Sequence, residues 1–516
     1  MSQAPDASTP ESERHLRLRW VGLAVLSLSL FMASLDNTIL NVALPTLSRE
    51  LGATMDQLQW TVDSYQVTYA GLLLVAGALA DRWGRSKTFL AGALVFGLAS
   101  MGAALSTTTT MLIWARAVMG IGAALLAPST LALVSALFTT PKERTLAFAL
   151  WSGANGAGGA AGPVLSGILL EHFNWSSIFW LNVPVAVAVV GVGAWVLPKR
   201  TTPGSGEPVD FLGGVGSMVC LAMVCWAVIS APGLGINSPL VIGVLMAGLG
   251  LAALFVWHES RVVAPLMRLD LFTIRQFSVA VGVAGLVTAG GAGALFVLTQ
   301  HLQLILGFTP LETGLRVLPI AAAVLIGSVM APHTIQRRGL KITVMVGLGF
   351  VTGGFTWMAT TGIEDGFGYL LIGALGFGLG AGLLVPAATQ AVMDSLPSDV
   401  TGVGSATNTA LMQVGSALGV AVVGSILASR YRGAVTSADT WANLDLSQQN
   451  AASTSLQSAI EVASALPGQQ AEQLVAAARE AFVLGMQLGL GVCAACVGVS
   501  LISVWALYPS DRFQRL

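Results

Sequence analysis

The sequence predicts an all-α polytopic membrane protein, and three observations carry that prediction. Hydrophobic residues make up 54% of the 516-residue chain and charged residues only 9%, against roughly 25% charged in a water-soluble globular chain. Apolar runs recur from Trp20 to Tyr508, each near the roughly 20 residues that a helix needs to cross the hydrocarbon core. Lys and Arg are concentrated in alternate connecting segments, as expected of a chain threaded repeatedly through one bilayer. The net charge is -1, and no long basic run points to nucleic acid as a partner.

The runs predict fourteen spans, at 20–44, 57–80, 88–106, 111–133, 146–170, 177–197, 211–231, 239–257, 277–301, 312–333, 342–361, 367–390, 405–428 and 483–508. With the N-terminus inside, 18 of the 24 Lys and Arg fall on the cytoplasmic side. Arg49, Arg316, Arg430, Arg432 and Arg479 fall outside or at the outer boundary, and Arg116 falls within a span. Missing one span would invert every later loop and destroy the bias, so both termini are expected in the cytoplasm. Residues 1–19 read as a polar tail, and the apolar run after them exceeds the core of a cleavable signal. The connecting segments are short, apart from a polar Ala-, Ser- and Gln-rich stretch at 429–482, expected outside with helical character over 455–480 and a break at Pro467. Twenty arginines against four lysines, with abundant Ala and Gly, point to a GC-rich bacterial genome and hence to a bacterial inner membrane.

Ionisable groups at a helix centre cost about 2.5–3.5 kcal/mol on insertion scales, so they face a cavity or a partner. Asp36, Asp63 and Arg116 are such groups. Each lies several residues inside the outer end of its span, roughly 8–12 Å deep at 1.5 Å per residue. They are expected to meet at one level if their helices are neighbours. Burial favours a neutral carboxyl and a nearby guanidinium favours a charged one, so a movable partner would switch a carboxyl between holding and releasing a proton. A static structural ion pair is the competing reading.

Two further patterns stand out. Gly77, Asp81, Arg82, Gly84, Arg85 and Lys87 form Gly-x-x-x-Asp-Arg-x-Gly-Arg-x-Lys between spans two and three, where Gly84 permits a tight turn. Span five carries Gly153, Gly156, Gly158, Gly159, Gly162, Pro163 and Gly167. Glycine weakens a helix in water by about 1 kcal/mol each relative to Ala, so the run reads as a close-packed face or as a hinge. Cys220, Cys225, Cys493 and Cys496 sit in apolar runs and read as core residues.

These motifs resemble the major facilitator superfamily, specifically its fourteen-span drug:proton antiporter branch, the QacA/EmrB-like proteins. Leu35-Asp36-Asn37-Thr38-Ile39-Leu40-Asn41-Val42-Ala43-Leu44-Pro45 resembles that branch's first-helix motif, and Trp60-Thr61-Val62-Asp63-Ser64-Tyr65 its second. The Gly77–Lys87 stretch resembles the superfamily's cytoplasmic loop. Arg116 with Gly120 and Gly122 resembles the fourth-helix motif implicated in proton coupling, and Gly158, Gly162, Pro163 and Gly167 resemble the fifth-helix antiporter motif. Trp175, Phe179, Asn182 and Pro184 resemble the start of span six. Arg337-Arg338-Gly339-Leu340-Lys341 looks like a degenerate repeat of the loop motif, and Gly402 to Ser405 and Gly415 to Gly419 resemble span thirteen. Ser166 and Met412 depart from the pattern, and spans ten and thirteen carry no deep acidic residue, which argues against dicationic substrates.

The resemblance implies two six-helix halves, 20–200 and 276–508, joined by a linker, 201–275, that carries two extra helices, with a C-terminal tail at 509–516. It implies a monomeric antiporter that exports a small lipophilic, monocationic or weakly basic compound in exchange for protons. No cofactor beyond the proton gradient is expected, because no Walker-type phosphate loop occurs. Asn37, Asn41, Asn155, Gln300, Gln303, Asn408 and Gln413 are candidates for the polar lining of an otherwise apolar cavity. A same-fold exporter of a lipid or endogenous metabolite is the second reading. A membrane-embedded enzyme is disfavoured, since the five histidines show no metal-ligand spacing and no nucleophile–base pattern is visible. His301 reads as a boundary-layer residue.

Overall fold

The computed structural model describes residues 10–198, 209–262, 265–397, 401–436, 441 and 444–507. The expected tail at 509–516, the first residues of the N-terminal tail, and Lys199 and Arg200 lie outside them. Every regular element among the described residues is helical. The first group comprises α1 (Pro10–Leu51), α2 (Met55–Trp83), α3 (Arg85–Ala104), α4 (Thr109–Leu137), α5 (Pro141–His172), the single turn α6 (Ser177–Trp180) and α7 (Asn182–Val196). Two connecting helices follow, α8 (Phe211–Leu234) and α9 (Pro239–Glu259). The second group comprises α10 (Arg275–Gln300), α11 (Pro310–Arg338), α12 (Leu340–Met358), α13 (Phe367–Asp394), α14 (Thr401–Thr436), the short α15 (Leu446–Ala452) and α16 (Leu456–Ser464), and α17 (Gly468–Leu507).

Twelve of these, counting Ser177–Val196 as one, are long and apolar enough to cross a membrane. Fourteen spans were expected. The other two, 57–80 and 146–170, fall on α2 and α5, which have 29 and 32 residues but are diluted by polar side chains and glycine. Several helices outrun the predicted spans: α1 passes through Pro45 to Leu51, and α14 and α17 have 36 and 40 residues. Pro467 falls between α16 and α17, where a helix break was expected.

Local chemistry recurs in the two groups. Thr54 and Thr309 open α2 and α11 with reciprocal capping boxes to Gln57 and Glu312, each satisfying two end donors. Both helices end at a glycine with positive φ, Gly84 at 99° and Gly339 at 87°, a conformation that excludes most side chains. The packing recurs too. α1 lies on α5, α2 and α3 on α4, and α7 on α1 and α3. Likewise α10 lies on α14, α11 and α12 on α13, and α17 on α10 and α12. This is a parallel repeat of one six-helix unit.

The groups meet where α5 lies against α11, α2 against α14 and α1 against α10. α8 packs on both α2 and α14, whereas the face of α9 is mostly exposed. Glycine makes the crossings close. A side chain at Gly158 would strike the Phe31 carbonyl of α1, and one at Gly167 would lie 2.5 Å from Leu311 of α11. That packing offsets the cost of glycine in a helix, as in other membrane interfaces. Gly153 and Gly156 face open space, so they take no part in the crossing.

These two classes of glycine should respond differently to substitution. Gly158→Leu is expected to prevent recovery of folded protein, because backbone blocks the added atoms. Gly153→Ala should hold or raise the melting temperature in detergent, by up to about 1 kcal/mol of helix propensity. A stable Gly158→Leu variant would show that α1 and α5 are not locked at this crossing.

Candidate functional site

The first-helix carboxylate is entirely enclosed. Asp36 on α1 has no exposed surface, and its Oδ2 pairs with Arg116 Nη1 from α4. Its Oδ1 accepts a hydrogen bond of 3.2 Å from Asn182 Nδ2 on α7. Asn182 also donates to Ser100 Oγ of α3 at 3.1 Å, and Ser100 donates to the Phe179 carbonyl. Arg116 donates through Nε to the Thr61 carbonyl of α2 at 3.1 Å, and its guanidinium lies 4.5 Å from the centre of the Tyr65 ring. Gly120, one turn after Arg116, lets α4 press against the Tyr65 backbone. Every charge in the pair is therefore answered by a neighbour, which is the condition for burying an ion pair.

Asp63 does not join them. Thr61 and Tyr65 face Arg116, and a helix turns about 100° per residue, so Asp63 points elsewhere. It is wholly buried on the α2 face that carries Trp60, Val67 and Ala70, which packs against α8 and α14. Neither Asp63 oxygen has a hydrogen-bond partner. The expectation that all three ionisable groups meet thus holds for Asp36 and Arg116 and fails for Asp63.

A cavity of about 330 Å³ lies between the two helix groups, lined by residues next in sequence to those of the ion pair. Its polar wall comes from Asn37, Thr38 and Asn41 of α1 and Gln66 of α2, and Gln66 Nε2 donates to Asn37 Oδ1 at 2.6 Å. Thr288 and Ser416 add hydroxyls from the second group, and the remaining wall is apolar or glycine, including Phe377, Met358 and Ile320. No Asp, Glu, Lys, Arg or His is among the lining residues.

Of the seven polar candidates, Asn37 and Asn41 line this cavity, and the other five do not. Asn155 is exposed and its carbonyl accepts from Ser34. Gln300 is buried and donates to the Phe296 carbonyl. Gln303 donates to the Val42 carbonyl at 2.8 Å, beside Thr299 donating to the Asn41 carbonyl at 2.8 Å, so these two residues join the groups. Asn408 is buried next to Met412, and Gln413 is half-buried on α14. His301 is wholly buried on a π-helical turn at the end of α10, with both ring nitrogens unpartnered. Gln66, Thr38, Thr288 and Ser416 were missed as lining residues, and Ser100 as part of the ion-pair network; each was visible only as a polar residue in an apolar run. In the Gly77–Lys87 motif, Arg85 donates to Asp81 at 3.1 and 3.2 Å on an exposed surface, while Arg82 and Lys87 stay exposed. Gly77 has room for a side chain, its nearest neighbour being Pro128 at 3.8 Å. Gly162 and Pro163 lie at the α1 and α11 crossings, with Pro163 also on the cavity wall.

A sequence profile of the Major Facilitator Superfamily matches residues 26–420. The chain belongs to the major facilitator superfamily. It is 33% identical over 478 residues to the multidrug efflux pump LfrA of Mycolicibacterium smegmatis, covering 93% of this chain and 94% of that protein. It is 30% identical over 491 residues to the methyl viologen resistance protein SmvA of Salmonella typhimurium, covering 94% and 98%. Among solved structures, a bacterial homologue of the human lysosomal transporter Spinster superposes with a TM-score of 0.64 at 14% identity, over 98% of this chain and 100% of that one. The fold is therefore that of a major facilitator protein, a multi-pass membrane transporter and not an enzyme.

Removing Arg116 should be costly, because it strands a buried carboxylate. Arg116→Leu is expected to lose about 3–5 kcal/mol, the usual result of breaking a buried pair from one side. Asn182→Ala removes one neutral donor and should lose about 1–3 kcal/mol. Melting of the two purified variants in detergent measures the difference, and equal losses would show that Arg116 does not carry the pair.

Proposed function

We propose that this major facilitator protein is a proton-coupled exporter of lipophilic compounds in the fourteen-span antiporter branch, with α2 and α5 as crossings and both termini in the cytoplasm of a bacterial inner membrane. The observation that carries the reading is the buried Asp36–Arg116 pair immediately behind the wall of the central cavity. Asn37 and Thr38, next in sequence to Asp36, form that wall, as does Val62, next to the Thr61 carbonyl that Arg116 holds. Protonating Asp36 removes the charge that Arg116 answers. Arg116 then keeps the Thr61 carbonyl and the Tyr65 ring, both on α2, and the tie between α1 and α4 is released. Ligand and proton would thus act on the same helices, and each biases one equilibrium between two arrangements.

Energy and topology support inward proton flow as the driving direction. One proton entering across 100 mV supplies about 2.3 kcal/mol, enough to change a concentration ratio by well over tenfold. The Thr299–Asn41 and Gln303–Val42 contacts and the α5–α11 crossing join the groups at the ends read as outer. With that orientation, these contacts support a state closed to the outside. The lining supports a reading of the substrate class. Amides concentrate on the wall from α1 and α2, and the opposite wall is apolar apart from the Thr288 and Ser416 hydroxyls, with no acidic group to answer a fixed positive charge. The compound carried is therefore lipophilic and uncharged in the cavity, and weak bases travel as the free base. This narrows the sequence-based expectation of a monocationic or weakly basic substrate.

Dye efflux from proteoliposomes with an imposed pH gradient tests both parts. Asp36→Asn should lose gradient-driven transport, and survival of wild-type flux in that variant would remove the coupling site. A lipophilic tertiary amine should be carried at least about tenfold faster than its permanently quaternised N-methyl analogue, the factor corresponding to about 1.4 kcal/mol. Equal rates would show that the cavity accepts a fixed charge.

A further inference from the structure

A second polar file runs through the bundle away from the central cavity, in the seam where α8 packs on α2 and α14. Three helices contribute at three levels. At the outer end, Asp56 of α2 and Arg432 of α14 lie 3.6 and 3.5 Å from the position of a side chain at Gly233 of α8, and Arg432 donates to the Pro232 carbonyl at 2.8 Å. One turn deeper, Ser425 of α14 donates to the Val228 carbonyl of α8 at 2.8 Å and reaches Gln59 Oε1 of α2 at 3.4 Å. Deeper again, Asp63 sits on the α2 face, with Trp60 and Val67, that packs against Cys225 of α8. Asp56 to Asp63 and Pro232 to Cys225 each span seven residues, about 10 Å of helix.

The unpaired groups in this seam are adjacent. Gln59 is wholly buried with Nε2 unpartnered, and Asp63 is wholly buried with both oxygens unpartnered. They are four residues apart on one helix and so face the same side. A donor without an acceptor stands one turn from acceptors without a donor. Room for the amide is made by Gly424 of α14, where any side chain would begin 2.6 Å from Gln59 Cδ. Of the other charged groups near α2, Arg116 and Asp36 pair with each other on the α4 side, Asp81 pairs with Arg85 at the α2–α3 junction, and Arg82 is exposed at the far end of α2.

We propose that Asp63 exchanges its proton through this seam and not through the central cavity, with Gln59 as the positioning residue. Resting on the proton-coupled reading above, this gives α8 a role, as the wall that closes the seam on the side away from the central cavity, while α2 and α14 stand between proton and substrate. A hydronium ion entering at the Asp56–Arg432 end gives its proton to an Asp63 oxygen and leaves as water, and release is the reverse. Gln59 makes and breaks no covalent bond. Its Nε2 turns to the carboxylate when Asp63 is ionised and away when it is protonated, and Ser425 holds the opposite end of the amide.

The test uses the full-length protein in proteoliposomes with Nile red, an uncharged dye, in two assays: efflux driven by a pH gradient, and exchange at equal pH, which needs no net proton movement. Gln59→Leu is expected to slow driven efflux about tenfold and Ser425→Ala about threefold, with exchange within about twofold of wild type. Gln59→Glu should restore driven efflux with a displaced pH profile. In infrared difference spectra between acid and alkaline samples, a carbonyl band absent in Asp63→Asn should shift in Gln59→Leu. Driven efflux unchanged in Gln59→Leu, an equal fall in exchange, or an unshifted band would each overturn the proposal. Wild-type protein that ignores the pH gradient would sink the coupling reading itself, and the seam with it, whereas a coupled wild type with an indifferent Gln59→Leu sinks the seam alone.

Discussion

The first six helices are organised around one buried ion pair. Asp36 and Arg116 have almost no exposed surface, and α1, α2, α4 and α7 each contribute a charge, a carbonyl or an amide to the pair. An isolated charge at that depth would cost several kcal/mol, so the four helices cannot separate without finding another answer for it. A proton on Asp36 is such an answer. The same constraint that stabilises the bundle is what the proposed proton coupling acts on.

α2 carries three separate tasks on three faces. Thr61 and Tyr65 hold Arg116, Val62 and Gln66 face the cavity, and Asp63 with Gln59 faces α8 and α14. Successive residues on a helix diverge by about 100°, so neighbours in sequence reach different compartments. This explains why α2 is too polar to pass as a simple apolar span. It also explains why Asp36 and Asp63, which look equivalent as intramembrane acids, have opposite surroundings: one fully paired, the other without a partner.

The helix crossings are built from backbone contact, not from large side chains. Gly158, Gly167 and Gly314 bring α5 to α1 and α11, and Gly424 makes space for Gln59. In lipid, apolar side chains gain little by leaving the solvent, so close approach of small residues holds helices together. The cavity inherits this design, with small residues and a few amides in place of charges.

The sequence by itself determined the all-helical membrane class, the positions of most spans and the membership of Asp36, Arg116 and Gly84 in special environments. It could do so because length, hydropathy, charge and positive-φ glycine are local properties. The recurrence of the loop motif at Gly339 was legible for the same reason. The tertiary structure alone decided which acid meets Arg116 and which polar residues reach the cavity. Asn37 and Asn41 do, Gln300 and Asn408 do not, and Gln66 does unannounced, because the face a side chain presents depends on helix rotation and on which neighbour packs there. Depth along a helix can be counted from a sequence, but its azimuth is set only when the other helices are in place.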